Sequence, residues 1–109
     1  MIQDIIDGYI QCAEWVEEER LSNCYDVKEY ARLITPEVND FLNMVTPSDI
    51  EQYLMHFDYS QMGHDLYLTR CGHGAGFWDR GLNELGDRLT QAAESIGNDE
   101  HLYQWYDLG

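Results

Sequence analysis

The chain has 109 residues, 44% of them apolar, and sets 21 carboxylates against six Lys and Arg for a net charge of −15. That length suits one domain, and that apolar share suits a folded globule rather than a disordered tail. The charge argues against bare nucleic acid and anionic membrane as partners and for a basic protein surface.

No stretch reaches the roughly 18 apolar residues of a membrane span. The opening, "MIQDIIDGYIQC", carries two aspartates and no positive flank, which is unlike a signal peptide. Cys12, Cys24 and Cys71 are odd in number and irregular in spacing. They read as free thiols of a reducing compartment, here the cytoplasm of a host cell. Residues 1–30, 31–60 and 61–109 contribute −6, −4 and −5, so the acidity is spread along the chain rather than held in a tail.

In chain order, Ile2, Ile5, Ile6, Tyr9, Ile10, Ala13 and Val16 fall on one helical face. Asp4, Asp7, Glu14 and Glu18 line the opposite side, with Glu17 and Glu19 beside them. The pairs Asp4–Asp7, Glu14–Glu17 and Glu14–Glu18 set like charges three or four residues apart. Each costs about 0.2–0.5 kcal/mol, and no lysine offsets them. Asp26 with Glu29 forms a capping pattern ahead of Tyr30, Ala31 and Ile34. Thr35–Pro36 and Thr46–Pro47 then each place a capping Thr before a Pro suited to the first helical turn. The first is expected to open a helix with Val38, Phe41, Leu42 and Val45 inward, the second one with Ile50, Tyr53, Leu54 and Phe57 inward.

The second half reads differently. "DLYLTR" alternates like a strand, and "AGFWD" suggests a return strand across a glycine turn. Asp79 is placed to cap a helix whose apolar stripe is Leu82, Leu85, Leu89, Ala92 and Ile96, with Gly97 as its left-handed stop. "HLYQWYDL" suggests a final strand. The expected fold is therefore α+β, with short N-terminal helices packed on a small antiparallel β-sheet and one C-terminal helix. It is expected to be a single domain over 1–109, with a helical part over 1–60 and a hairpin, helix and strand over 61–109.

"TRCGHGAGFWDRG", residues 69–81, gathers four of the nine glycines. As structure it is a bulged hairpin turn leading into a helix, with Phe77 and Trp78 as packing. As an anion nest it lacks the Gly-Lys-Ser/Thr ending of a phosphate loop. As a metal site it offers His64, Cys71 and His73, with His56 and Asp65 nearby, but no repeated ligand pair. As a small enzyme it would use Cys71, His73 and Asp79, although a nucleophile also needs an orienting group and oxyanion donors. The expectation is no catalytic residue, no metal and no cofactor.

Residues 67–95, "YLTRCGHGAGFWDRGLNELGDRLTQAAES", resemble a block that recurs in small acidic proteins of bacteriophages and mobile elements, mostly without assigned function. The likeness covers about a quarter of the chain. It implies a phage context, in which small acidic proteins are frequently inhibitors of host enzymes.

Charge and resemblance together predict an inhibitor of a host nucleic-acid-handling defence protein, such as a restriction or CRISPR effector, and in part a nucleic-acid mimic. The partner would be a basic protein surface, with no direct contact to nucleic acid or membrane. Asp4, Asp7, Glu14, Glu17, Glu18 and Trp15 are the expected contact residues. Trp15, Trp105 and Tyr106 are candidate aromatic anchors, with core burial as their simpler role. The alternatives are a phage enzyme or metal-binding protein built on the Cys71/His73 loop, and a general protein-interaction module.

Overall fold

Five α-helices carry the chain in the computed structural model, which describes residues 1–72 and 74–107. They are α1 (Ile2–Glu17), α2 (Val27–Met44), α3 (Pro47–Leu54), α4 (Tyr59–Cys71) and α5 (Glu84–Ser95), with 3-10 turns at Phe77–Asp79 and Leu102–Trp105. The expected α+β fold is incorrect. Among the described residues there is no strand, and extended pairing is reduced to one antiparallel bridge between Leu21 and Tyr106.

Each expected strand has a physical reason for being something else. "DLYLTR" is the second half of α4. This helix buries Met62, Gly63, Asp65, Leu66, Tyr67 and Arg70, so neighbours enclose it on most sides and no single apolar stripe survives in its sequence. What remains looks like alternation. α4 lies backbone to backbone against α1. A Cβ on Gly8 would sit 2.1 Å from the Ser60 carbonyl oxygen, and one on Gly63 would sit 2.1 Å from that of Ile5. Only glycine permits this approach.

"AGFWD" is a helical reversal rather than a hairpin arm. Gly76 has φ +147°, and a Cβ there would lie 2.2 Å from Thr69 Oγ1. That same hydroxyl oxygen accepts the Phe77 amide at 3.2 Å. The turn drives Phe77 into the core, where it stacks on Phe41 at 5.6 Å and meets Tyr53 edge-on. Trp78 points outward and is half exposed, not packed in a sheet. Within "HLYQWYDL", whose Leu108 lies outside the described residues, the 3-10 turn at Leu102–Trp105 buries Leu102 and Trp105, the indole lying against Tyr25 and Tyr30.

The helix starts show where local chemistry suffices. Asp26 caps α2 by accepting from the Lys28 and Glu29 amides, and Thr46 caps α3 by accepting from Asp49. Thr35–Pro36 does not open a helix but lies inside α2. There Thr35 Oγ1 donates back to the Ala31 carbonyl at 2.6 Å. Pro36 is exposed, so the carbonyl it leaves without an amide partner faces the solvent side. Asp79 caps nothing. α5 begins at Glu84, behind Asn83, whose φ is +56°. The stripe Leu85, Leu89 and Ala92 is buried as expected, Leu82 and Ile96 are partly buried, and Gly97 has φ +78°.

Candidate protein-binding face

α1 divides its residues by register. Ile5, Ile6, Tyr9, Ile10, Cys12 and Ala13 are buried, while Asp4, Asp7, Gln11 and Trp15 face outward. Glu18 continues the outward line in helical backbone just past the last turn, and Glu14 on it is half-buried. From Asp4 to Glu18 this stripe runs about 21 Å at the helical rise. Trp15 is 74% exposed, although core burial was its simpler expectation. It stands in a shallow groove with Val16, Glu18, Glu19 and Arg20. Trp105 is buried and Tyr106 partly so, so neither is a free anchor like Trp15. Glu17 departs from the expected contact set, because the helix turns it inward to 5% exposure. There it lies 3.5 Å from Arg20 and 3.5 Å from the Tyr67 hydroxyl.

The arginines are paired within the chain. All five arginines are ion-paired to carboxylates of the same chain. Arg20 pairs with Glu17, Arg32 with Glu29, Arg70 with Glu37 at 2.5 Å, Arg80 with Asp65 at 2.8 Å and Arg88 with Asp49 at 2.8 Å. The last three arginines lie within residues 67–95. Each reaches back to an acid of α2, α4 or α3, so that block is fastened to the rest by charge as well as by packing.

Arg70 centres a buried polar cluster that sequence reasoning missed. Its Nε donates to the Gly97 carbonyl at 2.9 Å, and one terminal nitrogen donates to the Tyr9 hydroxyl oxygen at 3.0 Å. Asp99 accepts from the Tyr9 hydroxyl at 2.6 Å and from the Tyr30 hydroxyl. His101 closes on the second oxygen of Glu37. Burial first, then the charge of Asp99, pushes the Tyr9 hydroxyl well above the ordinary phenol range. A second cluster repeats the theme, with Asp65 accepting from Tyr53 at 2.7 Å, Gln61 at 3.0 Å and Arg80. The signal available in the sequence was indirect: eight tyrosines against three phenylalanines. A buried hydroxyl needs a partner, and these find carboxylates.

The rival sites are not assembled. His64 hydrogen-bonds Gln11 at 3.1 Å, His56 is exposed, and Asp65 is engaged as above. Among the described residues no three His, Cys, Asp or Glu converge to hold a metal ion. His73 lies outside the described residues. Burial pushes the Cys71 thiol up to about 11, the opposite of an activated nucleophile. Asp79 is exposed. Among the described residues no helix is long and apolar enough to cross a membrane. Comparison with known protein families, curated proteins and solved structures finds no match to this chain.

Proposed function

We propose that this protein is a phage-type acidic inhibitor that acts in the host cytoplasm by binding the basic surface of a nucleic-acid-handling defence protein. It works by contact rather than catalysis, needs no cofactor, and does not itself bind nucleic acid. The observation that carries this reading is the division of charge. Every arginine has a carboxylate partner in the same chain, while α1 turns an acidic stripe and a 74% exposed Trp15 to solvent. An indole with that exposure beside carboxylates is the composition of a contact hot spot for a basic partner.

Magnitude limits the mimicry. Over about 21 Å, duplex DNA presents roughly 12 charges. The stripe presents four: Asp4, Asp7, Glu14 and Glu18. The acids therefore supply steering and orientation, and Trp15 supplies residence.

The test begins with capture of partners from host lysate at low and high salt, followed by kinetics on the purified pair. Reversing Asp7 and Glu18 to Lys should slow association about tenfold at low salt, because surface charge acts on the on-rate. Trp15→Ala should speed dissociation by about thirtyfold or more, the scale of a hot-spot aromatic. If both variants bind at wild-type rates, α1 is not the contact face.

A further inference from the structure

α3 ends on an apolar residue that its own register leaves outside. Tyr53 is buried, and Leu54 and Phe57 are partly buried against the core. Met55, in helical backbone just past the last turn, is 77% exposed. Shallow grooves of about 260 and 450 Å³ adjoin it. The first runs toward α5, where Leu82 and Leu85 wall it, and the second lies over Leu54 on α3 itself. Gln52 and Met55 line both grooves and so form the ridge between them. Left-handed backbone at Gly81 (φ +70°) and Asn83 (φ +56°) turns the chain through Leu82 into α5 and fixes the far wall.

A single exposed apolar side chain is ordinary, but a ridge between two grooves with leucines in their walls is a shaped surface. Methionine suits such a ridge, because its unbranched, polarizable side chain adapts to an incoming apolar face. The rim is acidic. Glu51 lines the second groove, Glu84 stands between the lining residues Asn83 and Leu85 of the first, and Asp87 follows on α5, all three exposed. Arg88, one turn past Glu84, is tied to Asp49 at 2.8 Å.

We infer that the Met55 ridge docks a cationic amphipathic helix of another protein. Apolar side chains three or four residues apart on such a helix, with Cβ atoms about 5–6 Å from each other, would straddle Met55 and fill one groove each. Lysines beside them would face Glu51 on one side and Glu84 and Asp87 on the other. Charge complementarity selects this occupant, since a second copy of the chain would bring the same three acids and a net charge of −15 to the contact. The surface belongs to α3 and α5 and uses nothing of α1, so it stands apart from the contact face proposed above.

The probe is a short synthetic peptide with leucines at helical positions i, i+3, i+4 and i+7 and lysines elsewhere. It is titrated into the full-length protein near physiological salt and followed by backbone amide shifts. The control has the same composition with its leucines distributed around the helix. The expected result is a saturable response centred on Gln52, Met55, Leu82 and Leu85, with the control bound about tenfold more weakly because it cannot place two apolar side chains across the ridge. Met55→Ser should weaken the peptide by about tenfold, the scale of a central apolar contact. Glu51→Lys should weaken it by about two- to fivefold, the scale of an exposed ion pair. Both residues are exposed, so both variants keep the fold. Equal binding of the control, shifts centred on α1 or spread evenly over the acidic surface, or unchanged affinity in Met55→Ser would each overturn the inference. Self-association of the protein that Met55→Ser abolishes would overturn it too, by giving the ridge to a second copy.

Discussion

On the outward stripe of α1, Asp4, Asp7 and Glu18 stand in water beside an exposed Trp15. Around Arg70, Glu37 and Asp99 meet the guanidinium, His101 and the hydroxyls of Tyr9 and Tyr30. Both regions use carboxylates and aromatics, and what differs is burial: on α1 the Gln3 amide at 2.7 Å from Asp7 and the N-terminal ammonium at 3.7 Å from Asp4 share those acids with water. In the interior every acid meets a donor, because a buried, unmatched charge costs several kcal/mol. On α1 water screens the acids, and like charges cost only tenths of a kcal/mol each. The first arrangement makes the fold, and the second leaves charge available to a partner.

Alkali should break the matched interior most completely. Burial pushes the Cys71 thiol to about 11 and the Cys12 thiol to about 12, and it raises the phenols of Tyr9, Tyr30, Tyr53 and Tyr67 well above their usual range. The folded state therefore keeps protons that the unfolded chain gives up. This contribution to stability is complete below about pH 9 and is lost as pH rises from there through the folded-state values. Urea unfolding midpoints should fall steeply above pH ~9, with phenol ionisation coincident with unfolding. Tyrosines that ionise with ordinary midpoints in the folded protein would show that the interior is not sealed.

Next in size is Arg70→Met, which removes the centre of the cluster, leaves Glu37 with His101, and takes the donor from the Gly97 and Asn98 carbonyls. A loss of about 3–5 kcal/mol is expected in denaturant titration, as when one partner of a buried pair is deleted. A loss below about 1 kcal/mol would mean that water already reaches the cluster.

A smaller effect tests the seam between the regions. Asn83 holds φ +56° with ψ −125° at the start of α5, a conformation that costs a side-chain-bearing residue about 1–3 kcal/mol. Asn83→Gly should therefore raise stability by about 0.5–1 kcal/mol, after the entropy of a freer unfolded chain is subtracted. Thermal melting checks the sign.

The smallest expected stability change belongs to the outward stripe. Reversal of Asp7 and Glu18 to Lys should move unfolding free energy by no more than about 0.5 kcal/mol, because it touches exposed groups and relieves like-charge contacts. The same variant carries the largest expected change in association rate. A large loss of stability would show that these acids belong to the fold.

The sequence determined what depends on neighbours along the chain. The apolar face of α1, the caps at Asp26 and Thr46, the α5 stripe and the stop at Gly97 were all legible, because a helix brings residues three and four apart together. The acidity and its even spread were legible too. Only the tertiary structure decided that "DLYLTR" is a helix, because enclosure by α1 and other neighbours removed the one-sided pattern that marks an amphipathic helix. The inward Glu17 and the outward Trp15 instead follow from the register of α1, which sets Glu17 in line with Ile10 and Ala13 and Trp15 in line with Asp4, Gln11 and Glu18. The tertiary structure also joined Asp99 to Tyr9, ninety residues apart, and assigned Arg70, Arg80 and Arg88 their acids. Such pairings follow from which surfaces meet when the core closes, and no local spacing encodes them.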